Sequence, residues 1–297
     1  MGVLRHNAFA LAVFAAFLCA VAGARAGEPA PRVVVSIAPL HSLIAGVMAG
    51  VGGPTLLARG GASPHGGALR PSDARALQAA DVVFWIGPGL ERFLDKPLAT
   101  LAGRARVIAL AEAPGLHEVA SHAGGAPDPH VWLDPANARA MVEAAAKVLA
   151  EIDPGNGSAY RANATRLRAR LDALDRDLAA RLAPVRDVPY LVFHDAYRHF
   201  EARYGLTSLG AVTRNPEIAP GARRLSQLRR LISDSGVACL FIEPQFPPAL
   251  AEAVTGGTSA RIAALDPLGA ALAPGPEAYF ALMGSLADDL IACLRRD

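Results

Sequence analysis

The chain has little of several features that mark other classes of protein. It contains only three cysteines and two tryptophans, and its 29 basic and 27 acidic side chains leave a net charge of only +2. No basic stripe with interleaved aromatic residues is present, so the sequence gives no sign of nucleic-acid binding. It also lacks a His-Glu-x-x-His motif and a nucleophile elbow. Two common sequence signatures of hydrolases are therefore absent.

Long hydrophobic runs are also scarce, and the one that exists lies at the amino terminus. Residues 8–21 are almost continuously apolar, and Ala24-Arg25-Ala26 follows as a small-x-small cleavage pattern. A run of about 14 residues is too short to span a membrane comfortably, so we predict a cleaved export signal over residues 1–26. Cys19 follows Leu18 rather than a small residue, which argues against a lipid anchor. We expect the mature chain to be exported and not inserted into a membrane.

Removal of the signal leaves two cysteines, Cys239 and Cys293. An even number of cysteines in an oxidising compartment favours a disulfide bond. Such a bond would tie the apolar strand near residues 236–242 to the carboxyl-terminal helix. The alternative is a pair of buried free thiols.

Short apolar runs alternate with helical patterns in two successive stretches of the chain. Continuous apolar runs indicate mostly parallel sheets that are covered by helices on both faces, which is an α/β fold. We therefore predict an N-terminal α/β lobe over residues 27–153, a linking helix over residues 154–184 and a C-terminal α/β lobe over residues 185–297. The helix core, Ser158–Leu182, would be roughly 37 Å long, enough to run along both lobes. A plain surface helix is the alternative.

Three histidines stand at the ends of apolar or proline-rich segments and before predicted helices. They are His65, His130 and His194, which lie 65 and 64 residues apart. In α/β sheets, ligands bind outside the carboxyl ends of strands, and both His194 and Asp266 follow predicted strands. If the three loops converge, three neutral imidazoles meet at one point and form a site suited to zinc.

Five ordered motifs surround these residues and carry a resemblance to a known family. The motifs are Gly61–Asp81, Asp128–Pro135, Phe193–Tyr197 with Phe200, Glu243–Phe246 and Leu265–Gly269. Together they resemble the periplasmic zinc receptors, which are the ZnuA-like substrate-binding proteins of high-affinity zinc ABC importers. The resemblance extends over nearly the whole mature chain.

The resemblance implies two α/β lobes that are joined by a rigid helix and hold a metal ion between them. Carried over by position, His65 and His130 come from the N-terminal lobe and His194 from the C-terminal lobe. Asp266 stands where relatives place a carboxylate, as fourth ligand or as a neighbour of the ligands, with water as the alternative. Cys239 and Cys293 match the disulfide pair of the family.

In function, the resemblance implies a monomeric periplasmic receptor without enzymatic activity. It would bind Zn²⁺ as transported cargo and deliver it to an ABC-type permease. Manganese receptors of the wider family carry a carboxylate in the third position, whereas His194 here gives three nitrogens, which favours zinc. A manganese or iron receptor, an adhesin-like relative and an exported zinc hydrolase are the alternatives.

One departure from the family concerns the loop before the second motif. Many zinc receptors carry a long loop there that is rich in histidine and acidic residues, whereas Leu116–Pro127 has only His117 and His122. The sequence favours a surface loop, with an auxiliary metal site at these two histidines as the alternative. On the helix after His194, we expect His199 to point away from the metal site and Glu201 to be solvated. Glu243 ends a predicted buried strand, so we expect it to border the cleft or to fix the hinge by hydrogen bonds.

Overall fold

The computed structural model describes residues 29–57, 63–122, 124–213, 220–244 and 248–295. The predicted export signal lies outside the described residues, as do Gly61-Ala62 and Gln245-Phe246 of the motifs. Within the described ranges, no helix combines the length and the apolar character that crossing a membrane requires.

The N-terminal lobe is built on a parallel sheet of four strands in the order β2-β1-β3-β4. Its two central strands are short valine-rich runs that are buried on both faces, as parallel strands between helices require. The strands are β1 (Val33–Val35), β2 (Thr55–Leu56), β3 (Val82–Trp85) and β4 (Arg106–Ala109). The helices are α1 (Ala38–Val47), α2 (Pro71–Ala79), α3 (Asp95–Leu101) and α4 (Pro135–Ile152).

The C-terminal lobe repeats the same topology, with strand order β6-β5-β7-β8 and all neighbours parallel. Its strands are β5 (Tyr190–His194), β6 (Ser208–Thr213), β7 (Cys239–Ile242) and β8 (Arg261–Ala264). Its helices are α6 (Arg198–Tyr204), α7 (Ala222–Ser235), α8 (Ala249–Thr255) and α9 (Ala278–Leu294). The prediction of two α/β lobes with parallel sheets is confirmed.

Helix α5, Gly157–Leu182, joins the two lobes. Four leucines along one face of the helix are buried, and α5 packs against α1 and α4 of the first lobe and against α9 of the second. They are Leu167, Leu171, Leu178 and Leu182. Side chains from both lobes and from α5 therefore form one continuous hydrophobic core. The surface-helix alternative is wrong, because one face of α5 lies inside the protein. The lobe boundaries at residues 153 and 184 stay a prediction.

One predicted helix begins later than expected. The sequence pattern predicts a helix over Leu90–Leu101, whereas the structure has a short 3₁₀ turn at Arg92–Leu94 and α3 only from Asp95. The reason is the fully buried side chain of Glu91, which accepts hydrogen bonds from the backbone N–H groups of Ile86 and Gly87. These contacts hold the chain in a turn where the apolar pattern alone favours a helix.

Cys239, at the start of β7, and Cys293, in α9, form a disulfide bond. The expected bridge is therefore confirmed. It ties the last helix of the chain to the sheet of the C-terminal lobe. Both residues are buried in the shared core.

Candidate metal centre

The three predicted histidines meet between the lobes. Their ring centroids lie 5.2 Å apart for His65 and His130, 4.8 Å for His65 and His194, and 5.0 Å for His130 and His194. Each ring offers one nitrogen to the cluster, and these three nitrogens lie within 4.8 Å of one another. Among the described residues, this is the one group of three or more histidine, cysteine or acidic side chains with that geometry.

Each histidine is positioned by a different local structure. His194 is the last residue of β5 and so lies at the carboxyl edge of the C-terminal sheet. His130 directly precedes a 3₁₀ turn that leads into α4, where Asp134 caps the helix by accepting from the N–H of Ala136. His65 lies in the loop between β2 and α2. Two rings therefore come from the first lobe and one from the second.

Buried carboxylates orient two of the three rings. The Nδ1–H of His130 donates to Asp128 Oδ1 over 2.5 Å, and the Nδ1–H of His194 donates to Glu243 Oε1 over 2.7 Å. A carboxylate on one ring nitrogen fixes the tautomer, so the other nitrogen, Nε2, carries the free lone pair. The Nε2 atom of His194 is buried and makes no hydrogen bond in the described part of the chain. A buried nitrogen of this kind is explained by a cation at the centre of the cluster.

The electrostatics of the cluster keep the imidazoles of His65 and His130 neutral. Burial, together with the neighbouring His130 and His194 rings, lowers the pKa of His65 to about 2. Burial and His194 also lower the pKa of His130 well below its usual value. Neutral imidazole is the form that binds metal ions, so these two rings need not lose a proton at neutral pH before binding a cation.

These lowered pKa values predict how the metal-free protein responds to acid. In the unfolded chain both histidines titrate near pH 6.5, so below that pH the unfolded state binds more protons than the folded state. The free energy of unfolding of the metal-free protein should therefore fall as the pH drops from about 7 to about 5. Thermal unfolding of chelator-treated protein across that range measures the effect. A His65→Asn variant should show a shallower pH slope; equal slopes in the two proteins would contradict this explanation.

The cavity around the three rings is small. It has a volume of about 10 Å³, close to the space that one water molecule needs. Its walls include Pro64, Trp132, Pro267 and Leu268. A single ion fits such a cavity, whereas a peptide or ester substrate does not. The size of the site thus argues against the hydrolase alternative.

Asp266 lies close to this cavity, but its carboxylate is engaged elsewhere. Its two oxygens accept hydrogen bonds from the backbone N–H groups of Leu268, Gly269 and Ala270, over 2.9, 3.1 and 2.6 Å. These bonds shape the Pro267-Leu268 segment that walls the site. Asp266 is not among the residues whose ligand atoms form the cluster, and its role as fourth ligand stays a prediction.

The remaining polar residues near the site differ in part from the sequence-based expectations. Glu201 was expected to be solvated, and this is wrong, because only 1% of its surface is exposed. His199 points away from the cluster, and its Nε2 lies 3.0 Å from the carbonyl oxygen of Asp128, the residue that orients His130. His117 and His122 are not part of the three-histidine cluster. The auxiliary site that the sequence left open at these two residues stays untested.

Sequence reasoning did not assign a role to Asp128 and left that of Glu243 open between bordering the cleft and fixing the hinge. Both carboxylates were visible as parts of the motifs, Asp128 two residues before His130 and Glu243 just after β7. No local sequence pattern indicated which histidine ring each carboxylate contacts. For Glu243 that partner lies 49 positions away, which spacing alone does not reveal.

The protein has two α/β lobes with parallel sheets, one long helix that both lobes share, and three histidines that converge between the lobes. These features define a two-lobed protein that binds a metal ion. The family model described as "Zinc-uptake complex component A periplasmic" (ZnuA) matches residues 33–293. The chain therefore belongs to the ZnuA family. This family is a transport component rather than an enzyme, which confirms the prediction that the chain is not an enzyme.

Individual relatives agree with this membership. The high-affinity zinc uptake system protein ZnuA of Brucella suis biovar 1 (strain 1330) is 41% identical over 335 aligned residues, covering 98% of this chain and 99% of the relative. ZnuA of Yersinia pestis is 37% identical over 290 residues, covering 89% and 91%. A crystal structure of ZnuA matches with a TM-score of 0.79 at 26% identity, covering 90% of this chain and 100% of that one. A zinc-bound deletion mutant of ZnuA matches with a TM-score of 0.78 at 25% identity, covering 90% and 99%.

Proposed function

We propose that this protein captures Zn²⁺ in the periplasm at His65, His130 and His194 and delivers it to an ABC-type permease. The observation that supports the proposal is the convergence of three ring nitrogens, from both lobes, within 4.8 Å of one another. Metal bound between the lobes joins them through its ligands, so occupancy stabilises the closed arrangement. The ion is cargo, and nothing in this role requires catalysis.

Zinc suits the site better than a harder cation does. Zinc accepts three imidazoles together with one further ligand in a tetrahedral arrangement, whereas manganese favours carboxylate and water oxygens. The cluster contains three histidines and no carboxylate. A related ZnuA structure is described as zinc-bound, which supports the same ion here.

For the fourth position we propose water rather than Asp266. Three backbone hydrogen bonds hold the Asp266 carboxylate on the Leu268–Ala270 segment, and none of its oxygens belongs to the ligand atoms of the three-histidine cluster. A carboxylate hydrogen-bonded in this way shapes the loop beside the ion. A water ligand would also leave a position from which the permease could begin to displace the ion.

The remaining parts of the proposal concern location and assembly. We propose that the export signal is cleaved near Ala26, that the mature chain acts as a monomer, and that its lobes follow the boundaries predicted from the sequence. The periplasmic family description supports the location. The relatives are named as components of zinc uptake systems, which supports an ABC permease as partner.

Metal titration tests the proposal directly. Chelator-treated protein should bind one Zn²⁺ per chain in competition with a chromophoric chelator, and excess Mn²⁺ should not displace it. Preference for Mn²⁺, or the absence of tight zinc binding, would overturn the proposal. Growth of a receptor-deficient bacterium in zinc-depleted medium, restored by this chain together with its permease, tests the delivery step.

Substitution of Glu243 by glutamine should weaken zinc binding by about tenfold, because loss of a carboxylate behind a ligating histidine costs roughly 10–100-fold in affinity. Glutamine can still accept from Nδ1 of His194, but it no longer makes the ring more basic. The dissociation constant for Zn²⁺ measures the effect. Glu252→Gln, an exposed position on α8 of the same lobe, provides the matched control. Equal losses in the two variants would contradict the role assigned to Glu243.

A further inference from the structure

Residues 117–122 and 124–128 belong to a loop, here called the strap, that begins and ends on the N-terminal lobe. At its start, the backbone N–H of His117 donates to Asn137 Oδ1 over 2.7 Å, and Asn137 Nδ2 donates to the carbonyl of His117 over 3.0 Å. At its end, the N–H of Asp128 donates to the carbonyl of Val119 over 2.8 Å. The buried side chain of Asn137 on α4 therefore fixes the base of the strap to the first lobe.

The middle of the strap contacts the other lobe through His122. Its backbone N–H donates to Asp195 Oδ2 over 3.0 Å, and its Nδ1 lies 2.5 Å from Asp195 Oδ1. Its Nε2 lies 3.2 Å from Glu201 Oε2 on α6. In the reverse direction, the Nε of Arg198 donates to the carbonyl of Ala120 over 3.2 Å. One histidine of the first lobe thus bridges two carboxylates of the second.

Both carboxylates are buried, with 5% of Asp195 and 1% of Glu201 exposed. Buried carboxylates require partners, and a protonated imidazole donates its Nδ1–H to Asp195 and places its positive charge beside Glu201, which also accepts a hydrogen bond from Arg198. Burial opposes the charge on His122, but its contacts with the carboxylates of Asp195 and Glu201 outweigh burial and raise its pKa to about 9. Both ring nitrogens are then donors, which leaves no lone pair on His122 for a metal ion.

The position of this bridge relates it to the metal centre. Asp195 directly follows His194, the one cluster histidine that comes from the C-terminal lobe. The strap also ends at Asp128, whose carboxylate orients His130 of the N-terminal lobe. The strap therefore makes hydrogen bonds beside His194 of one lobe, through Asp195, and to His130 of the other lobe, through Asp128. It crosses between the lobes as the metal site does.

We propose that His122 is a positioning residue for the metal site, holding the His194-Asp195 segment in register with the histidines of the other lobe. The inference rests on the proposed zinc site. Ligand geometry must be held to within about 0.5 Å for tight binding, and a cross-lobe bridge beside His194 restricts its movement. Without the bridge, Arg198 and His199 still contact the other lobe, but the His194-Asp195 segment loses its own side-chain contact with the strap and gains freedom.

The test compares variants at two histidines of the strap. His122→Ala should weaken Zn²⁺ binding by about tenfold, mainly through faster release of the ion to a chelator. A tenfold change corresponds to an interaction energy of the size that residues in contact typically show. It should also change the visible absorption of the Co²⁺-substituted site, which reports ligand geometry. His122→Gln, which retains a donor, should recover part of the affinity. His117→Ala is the matched control, because His117 is exposed and its hydrogen bonds to Asn137 use only the backbone.

The outcomes separate this inference from the proposed function. If wild-type protein binds zinc and His122→Ala shows the same affinity, release rate and Co²⁺ spectrum, the positioning role is wrong and the zinc site stands. If wild-type protein does not bind zinc, the proposed function itself fails. Loss of a second zinc ion in His117→Ala and His122→Ala would instead indicate an auxiliary site and overturn the inference.

A further variant covers the case in which His122→Ala does not fold. Glu201→Gln keeps the shape of the side chain and removes one of the two charges that His122 contacts. It should weaken zinc binding in the same direction, with a matching change in release rate. Unchanged affinity and release rate in a folded Glu201→Gln protein would contradict the proposal.

Discussion

Replacement of His65 by alanine should lower the affinity for Zn²⁺ by on the order of a hundredfold or more. Loss of a group that merely supports a ligating histidine costs roughly 10–100-fold, and loss of the ligand itself should cost at least as much. His65 lies in a loop between β2 and α2, and its ring nitrogen lies 3.2 Å from that of His130. The substitution leaves two nitrogens, too few for the proposed site. Competition with a chelator of known affinity gives the dissociation constant.

The same variant should fold normally in the absence of metal. His65 is only partly buried and is held neutral at a cost, so its removal should not lower the stability of the metal-free protein. Zinc should then raise the melting temperature of the wild type far more than that of the variant, because stabilisation by a ligand grows with concentration relative to the dissociation constant. His117→Ala should behave as wild type in both assays. An equal zinc-dependent shift in His65→Ala would remove His65 from the site.

Removal of the Cys239–Cys293 disulfide should lower the free energy of unfolding by about 4 kcal/mol, from the loop-closure entropy of a crosslink that spans 54 residues. The bond lies away from the metal site. Cys239 begins β7 and Glu243 follows its end, a separation of roughly 13 Å along the strand. We therefore expect a large loss of stability with zinc affinity nearly unchanged.

Urea unfolding of the wild type and of a Cys239→Ala, Cys293→Ala double variant measures this loss. Reductant should destabilise the wild type toward the level of the double variant, and it should have no effect on the double variant itself. A loss below about 1 kcal/mol would mean that the shared core, rather than the crosslink, holds α9 in place. A large parallel loss of zinc affinity would contradict the assigned separation between the bond and the site.

Much of the architecture could be predicted from local sequence patterns. The valine runs at Val33–Val35 and Val82–Trp85 lie in a parallel sheet because apolar residues without alternation are stable only between two layers of helices. Asp134 and Pro135 begin α4 as their capping chemistry predicts. The leucine spacing of α5 likewise indicates a single buried stripe. The exception is the turn at Glu91, where a buried carboxylate opposes the local helical pattern.

The three histidines of the candidate site were also found from the sequence, because position after a strand end or before a helix start is a local property. Their convergence was not a local property. Five ordered motifs that resemble a known family supplied that expectation, and the ring separations of about 5 Å agree with it. The three histidines at the centre of the candidate site were thus predictable.

The sequence by itself determined the two α/β lobes, the long helix, the candidate histidines and the disulfide pair, since each depends on local pattern or on a recognisable motif. Only the tertiary structure decided which polar residues are buried and with whom. His122 and Asp195 are 73 positions apart, and Glu201 lies in a helix whose pattern gives no sign of a buried carboxylate. Such pairs form because packing brings distant charges together and excludes water around them, and that outcome depends on the arrangement of whole lobes.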